Sequence, residues 1–147
     1  MKKTILALLA AVTLVPSSQA QAALAPGAKY ETTLDPAPLT FATRNDVAGT
    51  GSVTAELRGN MLIVNGSFAG LPSPATTAQL RSGLLTGVPG DAFADLTVPR
   101  SPGGTITGSV KASRAIIAAL KRGGLYVQLN SEKAPNGNLW GWLAPAP

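Results

Sequence analysis

From residue 29 onward, apolar and polar positions alternate in short runs, the period of two that marks a half-buried strand. The clearest run is 51–57, where Val53, Ala55 and Leu57 oppose Ser52, Thr54 and Glu56. Arg58-Gly59-Asn60 follows, and 61–68 resumes the pattern with Leu62, Val64 and Phe68. Two alternating runs around a Gly-Asn turn predict a β-hairpin. Further strands are predicted at 29–34, 76–85, 92–98 and 105–110. In 76–85, Ala78, Leu80 and Ser82 share a face; in 92–98, Ala92, Ala94, Leu96 and Val98 oppose Phe93, Asp95 and Thr97. Pro36 and Pro38 interrupt the first strand, and 39–43 reads as a second short one at an edge. Runs at 125–130 and 138–143 flank a Pro-Asn-Gly turn at 135–137, a second hairpin.

One segment breaks the period. Ser113 suits a helix N-cap, Ile116, Ile117 and Leu120 recur at helical spacing, and Gly123-Gly124 ends the run. Lys121 and Arg122 fall in its last turn, where cations complement the helix dipole. The pattern predicts one helix over 113–122. Many short strands separated by Gly and Pro turns predict an all-β, antiparallel sandwich or barrel.

The first 22 residues follow another rule. Met1-Lys2-Lys3 is basic, and Ile5 to Val15 is apolar apart from Thr13. Small residues follow Pro16. This reads as a secretory signal peptide cleaved after Ala22, or alternatively after Ala20. Its apolar run of about 11 residues is short of the ~20 that span a bilayer. The expected organisation is a signal peptide at 1–22, a lead segment and first strand at 23–48, and the rest of a single domain at 49–147. The destination is a periplasm, a cell envelope or the medium, and no other segment is long and apolar enough to span a membrane.

Composition narrows the chemistry. The chain has 12 Lys and Arg against 7 Asp and Glu, and loss of Lys2 and Lys3 lowers the excess from +5 to +3. There is no run of like charge and no basic stripe interleaved with aromatics, so no nucleic-acid partner is expected. With no Cys, neither a disulfide nor a lipidated cysteine is available. With no His, the commonest general base and transition-metal ligand are missing. A Ser-His-Asp triad is excluded, and no metal or cofactor is expected. Asp91 and Asp95 share a face if their segment is a regular strand, the placement a carboxylate-pair glycosidase uses; the alternative is solvated charge beside a turn. Asp35, Asp46 and Asp91 lack calcium-loop spacing, and Ser109 and Lys111 form a Ser-Lys pair without a supporting motif.

The aromatic residues supply the candidate binding site. Trp140 and Trp142 are two apart, and Tyr126 sits opposite Leu125 and Val127 in the neighbouring run. If the Leu and Val faces form the core, Tyr126, Trp140 and Trp142 line one outer surface suited to a protein or carbohydrate partner. The competing expectation is that the helix or the N-terminal segment covers those rings.

The order of motifs from Val53 onward resembles the CHRD domain, a module named for repeats in chordin and found alone in exported bacterial proteins. The residues concerned are Ala55-Glu56-Leu57-Arg58-Gly59, then Val64-Asn65-Gly66-Ser67-Phe68-Ala69-Gly70-Leu71. They continue with Thr105-Ile106-Thr107-Gly108, with Gly123 to Ser131, and with Pro135 to Leu143. The match covers about 90 residues, most of the chain after the leader. The resemblance implies an immunoglobulin-like or superoxide-dismutase-like sandwich and no established enzymatic activity. It also implies a His-x-His element in a middle strand and a His after the Leu-Tyr-Val strand; Gln79, Arg81 and Asn130 stand at those places. Superoxide dismutase chemistry is therefore not expected. The reading is an exported, non-enzymatic binding or envelope-associated module, with a carbohydrate-binding module and a hydrolase lacking His and Cys as alternatives.

Overall fold

A computed structural model describes residues 27–147; the signal-peptide reading lies outside them. Nine antiparallel strands and one helix follow in the order β1 (Ala28–Pro36), β2 (Thr50–Arg58), β3 (Met61–Ala69), β4 (Ala75–Ser82), β5 (Asp91–Leu96), β6 (Gly104–Lys111), α1 (Arg114–Lys121), β7 (Leu125–Ser131), β8 (Leu139–Trp142) and β9 (Ala144–Pro145). Their spatial order is β5-β4-β7-β8-β1-β2-β3-β6, with β9 also against β1. The sheet curls until its ends meet at one bridge, where Thr97 and Thr107 exchange backbone hydrogen bonds of 2.8 and 3.0 Å. The fold is a nearly closed all-β barrel, in agreement with the alternation in the sequence.

The predicted hairpin is β2–β3, paired from Thr50↔Ala69 to Arg58↔Met61. Gly59 opens its two-residue loop at φ 60°, the left-handed conformation that a type II′ turn requires at that position. Strand β1 joins the two halves of the barrel. Ala28 to Leu34 pair with β2, whereas Asp35 and Pro36 pair with Trp140 and Leu139 of β8. Gly141 follows at this junction, where a Cβ would overlap the Thr33 carbonyl, so only glycine lets β8 lie this close to β1.

Inward positions fill the barrel. Leu34, Val53, Leu62, Val64, Leu80, Ile106, Leu125, Val127, Leu129, Leu139 and Leu143 are all buried in one cluster. Helix α1 packs Ala119 and Leu120 into it. The Ser113 hydroxyl accepts from the Ile116 amide at 3.3 Å, as an N-cap should. At the other end the Gly124 amide donates to Ala119 and the Gly123 amide to Leu120, a Schellman closure with Gly123 at φ 78°.

Three expectations about the elements are corrected. Residues 39–43 are no strand. Thr40 and Thr43 each accept the other's amide through their hydroxyls, and the segment curls into a turn that leaves Leu39 and Phe41 exposed. The strand predicted over 76–85 ends at Ser82, because the Gly83 amide turns to the Gly124 carbonyl. In β5, a bulge opposite Leu80 and Arg81 interrupts the alternation. Leu80 pairs with Ala94 but Arg81 with Ala92, so Phe93 is the extra residue. Phe93 packs against the core together with Ala94 and Leu96, and Ala92, grouped with those two by the alternation, is exposed.

Candidate functional site

Strand β7 is buried on both sides: every residue from Leu125 to Leu129 is inaccessible or nearly so. Leu125, Val127 and Leu129 face the barrel core, which leaves Tyr126, Gln128 and Asn130 on the outer side. Residues from both flanking strands fold over them. Register sets Arg81 of β4 beside Tyr126 and Gln79 beside Gln128, while on the other side Trp142 of β8 meets Tyr126 and Trp140 meets Gln128.

The three aromatic residues therefore meet, as their spacing suggested. Trp142 stacks on Tyr126 with ring centroids 4.7 Å apart and planes inclined by 22°. Trp140 stands edge-on to both, 4.8 Å from Trp142 and 6.4 Å from Tyr126. Both tryptophans remain half-buried.

Tyr126 does not line the surface. Only 1% of it is exposed, because Trp142 covers its ring and Arg81 reaches its hydroxyl. That hydroxyl accepts from Arg81 Nε and from the Gly90 amide, both at 3.0 Å, and donates to the Gly90 carbonyl at 3.1 Å. It is a buried anchor for the loop between β4 and β5. The expectation of covered rings also holds for one side of Trp140, which packs on Ala37, Val47 and Ala134. The cover comes from the connection between β1 and β2, held in place by Asn138. The fully buried Asn138 side chain accepts from the Ala48 amide at 3.1 Å and donates to Ser131 Oγ at 3.0 Å.

Polar side chains border the aromatics in two hydrogen-bonded chains. Arg81 donates to Gln79 Oε1 at 3.0 Å, and Gln79 Nε2 donates to Asp95 Oδ1 at 3.0 Å. Gln128 Nε2 donates to Asn130 Oδ1 at 2.9 Å, and Asn130 Nδ2 to Thr77 Oγ1 at 3.0 Å. Gln79, Arg81 and Asn130 are the residues found where the CHRD resemblance implies histidine; all three belong to this one face. The sequence offers a signal for these side chains, since Thr77, Gln79 and Arg81 are polar at period two across from Tyr126, Gln128 and Asn130. Gln128 and Thr77 were not among the residues the sequence singled out.

A groove beside Trp142 was not foreseen either. Trp142 forms one wall, with Glu31, Thr33, Ser52, Thr54 and Pro145 around it. Pro145 follows Trp142 closely in the chain, but the other four come from β1 and β2, far from it in sequence. Among the described residues, the Trp142 indole N–H is the buried side-chain donor without an acceptor.

The other candidate chemistry does not assemble. The β5 bulge pairs Asp95 with Gln79 but Asp91 with Ser82, so the two carboxylates fall on opposite faces. Ser109 and Lys111 are exposed side by side on β6. Among the described residues no three His, Cys, Asp or Glu side chains gather where they would hold a metal ion, and no helix is long and apolar enough to cross a membrane. Arg122, from the basic helix end, donates to the Leu84 carbonyl at 2.9 Å.

No curated protein and no solved structure gives a significant match to the chain. The family model described as the CHRD domain matches residues 30–143, which runs from β1 through β8 and takes in the whole aromatic and polar face: the chain belongs to the CHRD domain family.

Proposed function

We propose that this is an exported, non-enzymatic binding module, and that its ligand contacts the outer face of β4, β7 and β8 through Trp140 and Trp142. The observation that carries the reading is the half-buried tryptophan pair, Trp142 stacked on a buried tyrosine and Trp140 edge-on to both, bordered by polar side chains. Such a surface offers large aromatic area at low entropic cost together with donors and acceptors already fixed in place. The basic and apolar leader supports export. The absence of His and Cys from the sequence and the separation of Asp91 from Asp95 support a role without catalysis. The test is a pulldown from envelope extract with the native protein and with Trp140→Ala/Trp142→Ala. Loss of the captured species in a folded variant supports the reading; the same captured species with both proteins sinks it.

A second reading, a carbohydrate ligand, is favoured by the groove beside Trp142, where an indole wall meets the hydroxyls of Thr33, Ser52 and Thr54 and the Glu31 carboxylate. Aromatic faces stack on sugar rings, and hydroxyls and carboxylates pair with sugar hydroxyls. Chito-oligosaccharides and soluble peptidoglycan fragments should then shift the tryptophan emission saturably. Emission unchanged across that panel removes this second reading.

A further inference from the structure

The connection between β4 and β5, residues 83–90, carries no charged side chain. It displays three aliphatic ones: Leu84 is 69% exposed, Leu85 52% and Val88 43%. Single exposed aliphatics are ordinary. Here three share one short loop, and the loop is held so that they stay out. The Gly83 amide donates to Gly124 at 2.8 Å, Thr86 Oγ1 to Gly123 at 2.9 Å, Arg122 Nε to Leu84 at 2.9 Å and the Val88 amide to Leu85 at 3.1 Å. The Gly90 amide is fixed on the Tyr126 hydroxyl. At the base, a Cβ on Gly83 would overlap the Val88 carbonyl and one on Gly90 the Ser82 carbonyl, so the loop is pinched into a prong.

The charge beside this prong is basic. Lys121 and Arg122, both exposed, end α1 where the loop is tied to Gly123 and Gly124. The acid nearest in sequence is Asp91, exposed at the loop's exit. A convex aliphatic tip flanked by cations matches a bilayer interface, where apolar groups enter the acyl boundary and cations remain among anionic headgroups. Three aliphatic side chains bury far less than the roughly 1,200 Å² of a stable protein pair.

We propose that the 83–90 loop docks this protein on an anionic lipid surface, with Leu84, Leu85 and Val88 inserted and Lys121 and Arg122 at the headgroups. The proposal uses neither tryptophan side chain, although Tyr126 and Trp142 lie in the strand row next to the loop and the Tyr126 hydroxyl holds Gly90.

Because the chain has no cysteine, Leu85→Cys and Phe41→Cys each accept a single nitroxide label. Phe41, 89% exposed at the opposite end of the barrel, is the control. With phosphatidylglycerol–phosphatidylethanolamine vesicles, the label at 85 should lose contact with an aqueous relaxation agent and gain contact with oxygen, while the label at 41 stays in water. In cosedimentation with the same vesicles, Leu84→Ser/Leu85→Ser should weaken binding by roughly tenfold or more. Lys121→Gln should weaken it about fivefold at low salt. Every variant carries the same N-terminus, so differences among them report on the loop. The proposal is overturned if the label at 85 stays in water or the label at 41 inserts instead. It is equally overturned if Leu84→Ser/Leu85→Ser leaves vesicle binding unchanged, or abolishes a dimer formed without lipid.

Discussion

Removal of one buried oxygen should separate the barrel from the loop it anchors. In Tyr126→Phe the ring remains to stack under Trp142, and only the hydroxyl is lost. That hydroxyl makes three contacts of 3.0–3.1 Å, accepting from Arg81 Nε and the Gly90 amide and donating to the Gly90 carbonyl. Arg81 Nε keeps the Gly90 carbonyl at 3.1 Å, so that carbonyl and that donor still have a partner. The Gly90 amide does not. A desolvated donor left without an acceptor costs about 1–3 kcal/mol, while the phenol no longer has to be buried, which offsets part of the loss. The net cost is about 2 kcal/mol, which for a domain of this size lowers Tm by about 8 °C. Thermal unfolding reads the first quantity, and amide exchange at Gly90 reads the mechanism. The Gly90 amide should exchange faster, while the amides of β2 and β3 slow down no more and speed up no more than the global loss dictates. A Tm within about 2 °C of the parent with unchanged protection at Gly90 would refute the anchoring role.

Three further outcomes follow from the same geometry. Asn138→Ala leaves the buried Ser131 Oγ and the part-buried Ala48 amide each without one partner and should cost about 2 kcal/mol in denaturant unfolding; a loss under about 0.5 kcal/mol contradicts its role. Gly141→Ala must push β8 from β1 at the Thr33 carbonyl, so it should both lower Tm and alter the near-ultraviolet signal of the tryptophan pair, and a native signal would show that the close approach is not required. Glu56 is held below the ordinary carboxylate range, chiefly by its hydrogen bond from Arg58 and further by that from the Gly27 amide, against a desolvation that raises it. A lowered folded-state value means that its contribution is present above the unfolded-state value and lost as pH falls through the folded one. Glu56→Gln should therefore flatten the acid limb of a stability–pH curve slightly and leave neutral pH almost unchanged, as befits an exposed pair; a large loss at neutral pH would contradict this.

Much of the barrel was legible because its signals are local. The β2–β3 hairpin needs only Gly59 and the alternation on either side, and α1 needs only Ser113, its apolar spacing and Gly123. The errors lie where a distant contact decides. Leu39 and Phe41 alternate like strand residues, yet the Thr40 and Thr43 hydroxyls capture the backbone first. Phe93 turns inward because β5 must meet β4 through a bulge, and one inserted residue reverses every facing beyond it. The aromatic cluster was legible from spacing because Tyr126, Trp140 and Trp142 lie on adjacent strands. The depth of Tyr126 was not, since it depends on Arg81 and Gly90, 45 and 36 residues away. The groove beside Trp142 was beyond reach for the same reason, drawing most of its other walls from β1 and β2, at the far end of the sequence.

The chain holds two tryptophans, and both are in the proposed site. Fluorotryptophan labelling therefore yields two fluorine resonances that report on this face alone, while proteins and glycans of an added envelope extract remain silent. The account predicts that both resonances move on titration with the extract and approach a limit, and that the movement survives Leu84→Ser/Leu85→Ser. Two resonances that stay in place throughout the titration would contradict the claim that this family member binds through Trp140 and Trp142.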